Sequence, residues 1–217
     1  MNRDHIHEMR ENYDKGTLER SDLLAHPINQ FRVWFDAAVA SGIKEANVMT
    51  LSTVDENGIP SGRTVLMKDL TQDGIIFYTN LESDKAQHIY KNKNVSLTFL
   101  WLEMERQVRV NGHAIEVDKD TATTYFQSRP KASQIGAWAS AQSKIIQDRV
   151  QIESKVEQLQ NQYRDTDFLP KPPFWGGFLI KPSQVEFWQG RRSRLHDRFR
   201  YDQKNGKESW DIVRLSP

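Results

Sequence analysis

The 217-residue chain has no cysteine, which removes disulfides, thiolate nucleophiles and cysteine-ligated metals from consideration. Its six histidines, at 5, 7, 26, 88, 113 and 196, are scattered, and no pair has the helical spacing of a zinc protease, so no metal is expected. Long apolar runs are missing too: nothing approaches the roughly 20 residues that a membrane helix needs. The polar stretch Met1 to Gly16 lacks the apolar centre of a secretory signal. A cytoplasmic protein without membrane contact is the expectation. An excess of one charge is also absent. The formal net charge is +1, whereas a general nucleic-acid binder carries a large basic excess. Gly16, Gly58, Gly62 and Gly74 stand singly at turns, so neither a dinucleotide fingerprint nor a phosphate loop is formed, and no Gly-x-Ser-x-Gly elbow occurs. Any phosphate must be held by side chains.

Candidates for that task are present. Arg63 with Lys68, Lys85, and Arg129 with Lys131 are dispersed cations, and the segment Phe187 to Phe199 concentrates four arginines, one histidine, one carboxylate and Trp188. If that segment is extended, alternation sends Arg194, His196 and Arg198 to one face and Leu195 and Asp197 to the other, a face suited to an anion. Strict alternation also separates Arg63 from Lys68, which are five apart, unless a bulge or two neighbouring ligands intervene.

The apolar pattern predicts one domain over residues 1–217, mainly β with flanking helices. Residues 1–20 are charged and terminal, and are expected to be mobile. Ile28, Phe31, Phe35 and Ala38 follow Pro27 at helical spacing, and Gly42 sits at the C-cap position. Strands are then predicted at Val48–Val54, Gly62–Lys68, Ile75–Thr79, Val95–Leu102 and Gln107–Val117, with turns at Asp55–Gly58 and Asp73–Gly74 and a bulge or bend at Asn111-Gly112. Ser83 caps a short helix that places Lys85 in its first turn. Five strands in succession suggest an antiparallel barrel or sandwich. Helices follow at Lys119–Ser128 and Ala132–Ala139, and a third from about Lys144 to Tyr163, with Ile145, Ile152, Val156, Leu159 and Tyr163 on one face. The chain closes with strands near Phe178, Val185, Arg198 and Trp210, the last two forming a hairpin across Lys204-Asn205-Gly206-Lys207.

Several separate motifs occur in one order: Arg63-Thr64-Val65-Leu66-Met67-Lys68, Phe77-Tyr78-Thr79-Asn80, Glu105-Arg106-Gln107-Val108, Tyr125-Phe126-x-Ser128-Arg129-Pro130, Ser133-Gln134-Ile135-Gly136-Ala137-Trp138, Phe174-Trp175-Gly176-Gly177-Phe178, and Arg194-Leu195-His196-Asp197-Arg198. In these the chain resembles the pyridoxamine 5'-phosphate oxidase family along nearly its whole length. The resemblance implies a split β-barrel working as a homodimer, with FMN at the subunit interface and residues 170–217 serving dimerisation and the active site. It places Arg63, Val65, Leu66, Lys68, Tyr78, Thr79, Lys85, Gln107, Gln142, Ser143, Trp188 and Arg198 around FMN. Substrate phosphate falls to Lys68, Tyr125, Arg129 and Ser133, with Arg194 and His196 over the pyridine ring and Arg10 and Tyr13 closing the site.

The implied reaction is oxidation of pyridoxamine or pyridoxine 5'-phosphate to pyridoxal 5'-phosphate by O2. Arg194 and His196 orient the substrate and assist proton removal; which one takes the proton is open, arginine being a poor base. Arg191 and Arg192 gain no role and read as plain loop. One departure from the family pattern is Asp84 beside Lys85, where arginine is common, which puts a carboxylate near the FMN phosphate. Two other readings share the fold: a non-catalytic carrier of flavin or pyridoxal phosphate, and a flavin reductase using a nicotinamide donor.

Overall fold

In the computed structural model, residues 3–9, 11–204 and 209–217 are described. Among them run α1 (Arg3–Glu8), α2 (Pro27–Ala40), β1 (Val48–Val54), β2 (Pro60–Leu66), β3 (Asp69–Leu70), β4 (Ile75–Asn80), α3 (Asp84–Lys91), β5 (Asn94–Trp101), β6 (Arg106–Glu116), α4 (Lys119–Ser128), α5 (Lys131–Ala139), α6 (Val150–Gln162), β7 (Trp175–Gln189), β8 (Asp197–Gln203) and β9 (Trp210–Leu215). The strands belong to one sheet in the order β2-β1-β5-β6-β7-β4-β3, with β8 pairing β7 and β9. The chain forms two compact units: Met1–Thr50, Ser96–Asn111 and Pro182–Pro217 form one, Leu51–Val95 and Gly112–Lys181 the other. No described helix is long and apolar enough to cross a membrane.

In the first unit, α2 begins where the His26 ring accepts the Ile28 amide at 3.3 Å and Pro27 occupies the opening turn. That proline costs nothing there, because its missing N–H has no partner in the first turn. The helix stops as expected at Gly42, whose φ of +82° suits a residue without Cβ. Its inner face buries Phe31 and Trp34, edge-on to Phe99 at 4.8 Å and Phe187 at 5.2 Å. β8 pairs antiparallel with β7, setting Trp188 opposite Arg198, and with β9 as far as Gln203 opposite Trp210. The expected turn at Asn205-Gly206-Lys207 lies outside the described residues. The N-terminal segment expected to be mobile makes defined contacts from Tyr13 onward. Lys15 donates its amide to the buried Glu105 carboxylate at 2.9 Å, the Leu18 amide reaches Asp197 at 3.1 Å, and the Leu18 side chain is buried.

In the second unit, β4 pairs antiparallel with β3 and β7 and is buried along most of its length. A cluster of Phe126, Ile135, Leu159, Leu169 and Trp175 joins α4, α5 and α6 to the start of β7. Three expectations change here. The third late helix starts at Val150, later than expected; Ile145 is fully exposed, and only Leu159 of the expected face is deeply buried. The strands expected near Phe178 and Val185 are one, β7. Alternating burial runs unbroken through Val108, Val110, Gly112 and Ala114, so Asn111-Gly112 makes no phase-shifting bulge; Gly112 is there because a Cβ would lie 2.5 Å from the Lys181 carbonyl oxygen.

Candidate active site

A cavity of about 650 Å³ opens in the second unit, a size typical of small-molecule sites. It gathers eleven of the residues singled out from sequence: Arg63, Val65, Leu66, Lys68, Tyr78, Thr79, Lys85, Tyr125, Arg129, Ser133 and Gln142. Arg63 and Lys68 meet because β2 ends at Leu66. Met67 turns inward and is buried, and the irregular link to β3 resets the alternation that would have parted them.

One group of donors surrounds Arg63 and Lys85. Arg63 spans β1 and β2, giving Nη1 to Thr53 Oγ1 at 2.7 Å and to the Leu51 carbonyl at 3.2 Å, and Nη2 to Ser61 Oγ at 2.8 Å. These bonds aim a half-buried guanidinium. Ser83 is the N-cap residue of α3, but its hydroxyl donates to the Asn80 carbonyl at 2.6 Å and accepts from Lys85 Nζ at 3.2 Å. Lys85 also donates to Gln142 Oε1 at 2.8 Å, and Thr79 Oγ1 donates to the same oxygen at 3.1 Å. Burial lowers the pKa of both cations; Arg63 lowers Lys85 further, while the Asp84 carboxylate raises each. Two cations this close, partly stripped of water, favour an anion between them. Ser143 lies just outside this cavity and lines a neighbouring one, where its Oγ accepts the Asp84 amide at 3.3 Å.

A second group is aromatic. Tyr78 stacks on Tyr125 at 4.1 Å and on Trp175 at 5.3 Å, with ring planes within 10° in each pair. The Arg129 guanidinium lies 5.0 Å above Trp175 and 5.6 Å above Phe126. Its Nη1 is buried without a hydrogen-bond partner, and burial lowers its pKa. A buried arginine nitrogen left unbonded costs free energy that an incoming oxyanion recovers. Gln134 fixes the loop carrying it, donating to the Arg129 carbonyl at 2.8 Å and accepting the Leu169 amide at 2.9 Å.

The remaining predicted residues belong to the first unit. Gln107 is half-buried at the start of β6. Trp188 packs on His196 at 4.5 Å, and Tyr13 approaches both rings at 5.8 Å. Arg198 donates to the buried Glu186 at 2.9 Å and to the Ser216 carbonyl at 2.8 Å. Arg194 is exposed, and Arg10 lies outside the described residues. The expected extended run is absent: Arg192–Arg194 is a single 3-10 turn with Ser193 at φ +57° and Arg194 at φ +62°. Arg191 is no plain loop residue either, since its side chain binds Asp197 at 3.0 Å and its amide binds His196 Nδ1 at 3.1 Å. Arg192 pairs with Asp14 at 2.7 Å on the surface.

Trp175 was given no role by sequence, nor were Thr53 and Ser61, which hold Arg63. The signal for Trp175 was the pair Gly176-Gly177 inside a strand, which marks a close approach by another group. A Cβ on Gly177 would lie 2.6 Å from the Tyr78 ring.

Residues 35–163 match the family described as pyridoxamine 5'-phosphate oxidase, and residues 175–217 match the pyridoxine 5'-phosphate oxidase C-terminal dimerisation region. Proteins called pyridoxine/pyridoxamine 5'-phosphate oxidase are similar over the full chain. The one from Vibrio parahaemolyticus is 47% identical over 97% of this chain and 98% of its own, and that from Paraburkholderia phytofirmans 46% identical over the same shares. Among solved structures, PhzG from Burkholderia lata, in complex with tetrahydrophenazine-1-carboxylic acid, superposes with a TM-score of 0.88 at 25% identity, covering 95% of this chain and 100% of that one. A pyridoxamine 5'-phosphate oxidase-related, FMN-binding protein from Nostoc punctiforme gives 0.68 at 18% identity, covering 86% of this chain and 97% of that one, and shares the fold. The fold is thus the split β-barrel expected from sequence, and this chain belongs to the pyridoxamine 5'-phosphate oxidase family.

Proposed function

We propose that the protein oxidises pyridoxine or pyridoxamine 5'-phosphate to pyridoxal 5'-phosphate, with FMN as cofactor and O2 as electron acceptor. The observation that carries this is one cavity with two separate cationic groups, Arg63 with Lys85 and Arg129 over the aromatic stack. The reaction calls for two phosphates, one on the cofactor and one on the substrate. The orphaned Arg129 Nη1 fits the second. In the alcohol reaction a CH–OH carbon loses two electrons and two protons, which appear in H2O2. In the amine reaction water enters as well and ammonia leaves.

Arg63, Lys85, Gln142 and Ser143 hold the FMN phosphate, and Val65, Leu66, Lys68, Tyr78 and Thr79 line its surroundings. When bound, FMN supplies the two-electron chemistry between substrate and O2. Arg129 grips the substrate phosphate, with Lys68, Tyr125 and Ser133 supplying further donors. Gln107, Trp188 and Arg198 complete the flavin surroundings. Arg194 and His196 orient the pyridine ring, with Tyr13 and Arg10 closing over it. The protein acts as a homodimer with FMN at the subunit interface, in keeping with the match of residues 175–217 to a dimerisation region. A cytoplasmic location is part of the same reading.

The test is steady-state turnover of the yellow, FMN-loaded protein. Pyridoxal 5'-phosphate and H2O2 should form one to one from either substrate. Tight FMN binding with neither substrate consumed would sink the proposal.

A further inference from the structure

We infer that the Arg191 amide fixes His196 in the tautomer carrying its proton on Nε2, so that His196 meets the substrate as a hydrogen-bond donor and not as a proton acceptor. The tautomer stands on geometry alone; its consequence for substrate rests on the function proposed above. The Arg191 N–H points at His196 Nδ1 from 3.1 Å. An N–H can be accepted only by a lone pair, so Nδ1 is unprotonated and the proton of the neutral ring sits on Nε2. Nε2 then has no lone pair to offer.

The local fold is built to keep that contact. The 3-10 turn, with Ser193 and Arg194 both in the left-handed region, brings the Arg191 amide back to a ring five residues later. Non-glycine residues adopt such angles only with backbone strain, so other contacts must hold them. Arg191 Nη1 reaches Asp197 Oδ2 at 3.0 Å, and Asp197 also accepts the Leu18 amide at 3.1 Å and Arg214 at 3.4 Å. The ring is packed against Trp188 and Tyr13. Protonating Nδ1 would set one N–H against another. Burial, then Arg194 and Arg198, also disfavour the charged ring, and only Asp197 pulls the other way. His196 is therefore neutral at neutral pH. If it were protonated at lower pH, Nε2 would still donate.

Long-range 1H–15N correlation spectra of the 15N-labelled, FMN-loaded protein read the tautomer, with His196→Gln identifying the signal. A single Nε2–H tautomer at neutral pH is expected; an Nδ1–H tautomer, or an averaged mixture, overturns the inference. The pH profile of kcat/KM for pyridoxine 5'-phosphate gives a second readout. His196→Gln, which keeps an N–H donor, should lower kcat/KM about 10-fold and leave the acid side of the profile unchanged. A loss of about 1,000-fold or more in His196→Gln, which keeps a donor but cannot take up a proton, would show a base and contradict the inference. A correct tautomer in a protein that oxidises neither substrate would fault the proposed function and leave the tautomer standing.

Discussion

At single residues, the proposed function divides the cavity's cations between two phosphates. The Arg129 guanidinium carbon lies 5.0 Å over the Trp175 ring, with one buried nitrogen unbonded; a lysine there lacks the second parallel donor. Arg129→Lys should raise KM for pyridoxamine 5'-phosphate about 10-fold to 100-fold with a smaller change in kcat, as read by initial rates. Asp84 offsets the positive potential that Arg63 and Lys85 create together. Asp84→Asn should therefore tighten FMN binding several-fold at low salt, and less at high salt where screening is strong. Fluorescence titration at two ionic strengths checks this, and unchanged affinity at both would remove Asp84 from the account. Burial and Arg63 hold the Lys85 pKa below its ordinary value. An anionic phosphate is attracted by the charged form, so FMN affinity should fall as pH rises through that lowered pKa. Lys85→Arg should carry tight binding to higher pH in the same titration.

Elements explain what was legible in the sequence. The β1–β2 turn could be read because Asp55 to Gly58 interrupts clear alternation, and α2 because its cap residues and inner-face aromatics follow local rules. What escaped depended on partners distant in sequence. The Tyr78–Trp175 stack exists only because β4 and β7 pair with Tyr78 opposite Gly177, a register no local pattern states. The meeting of Arg63 and Lys68 needed the break after Leu66, and the Arg191–His196 contact needed two left-handed residues that carry ordinary side chains. Ile145 misled because its spacing fitted a helix that begins only at Val150 and leaves Ile145 in solvent. The β4–β7 pairing gives its own prediction. A Cβ at position 177 would also stand 2.7 Å from the Phe77 carbonyl oxygen, so backbone as well as ring must move. Gly177→Ala should destabilise the fold by about 1–3 kcal/mol and weaken FMN binding as Tyr78 shifts. Thermal unfolding and FMN titration measure the two effects, and an unchanged Tm would contradict the close approach.

For the whole molecule, the proposed function carries substrate electrons to O2 through FMN held by this chain. Family membership, the two cationic groups in one cavity and the match to a dimerisation region all bear on it. The competing uses of the same fold, a passive carrier and a nicotinamide-driven flavin reductase, differ in which compound removes the flavin colour. The most direct measurement is anaerobic: the FMN-loaded protein is mixed with pyridoxamine 5'-phosphate or with NADH, its visible flavin absorbance is followed, and air is then admitted. Bleaching by the vitamin B6 phosphate alone, with colour returning in air as H2O2 and pyridoxal 5'-phosphate are recovered, is the predicted result. Flavin that stays yellow with pyridoxamine 5'-phosphate, or that only NADH bleaches, would contradict it.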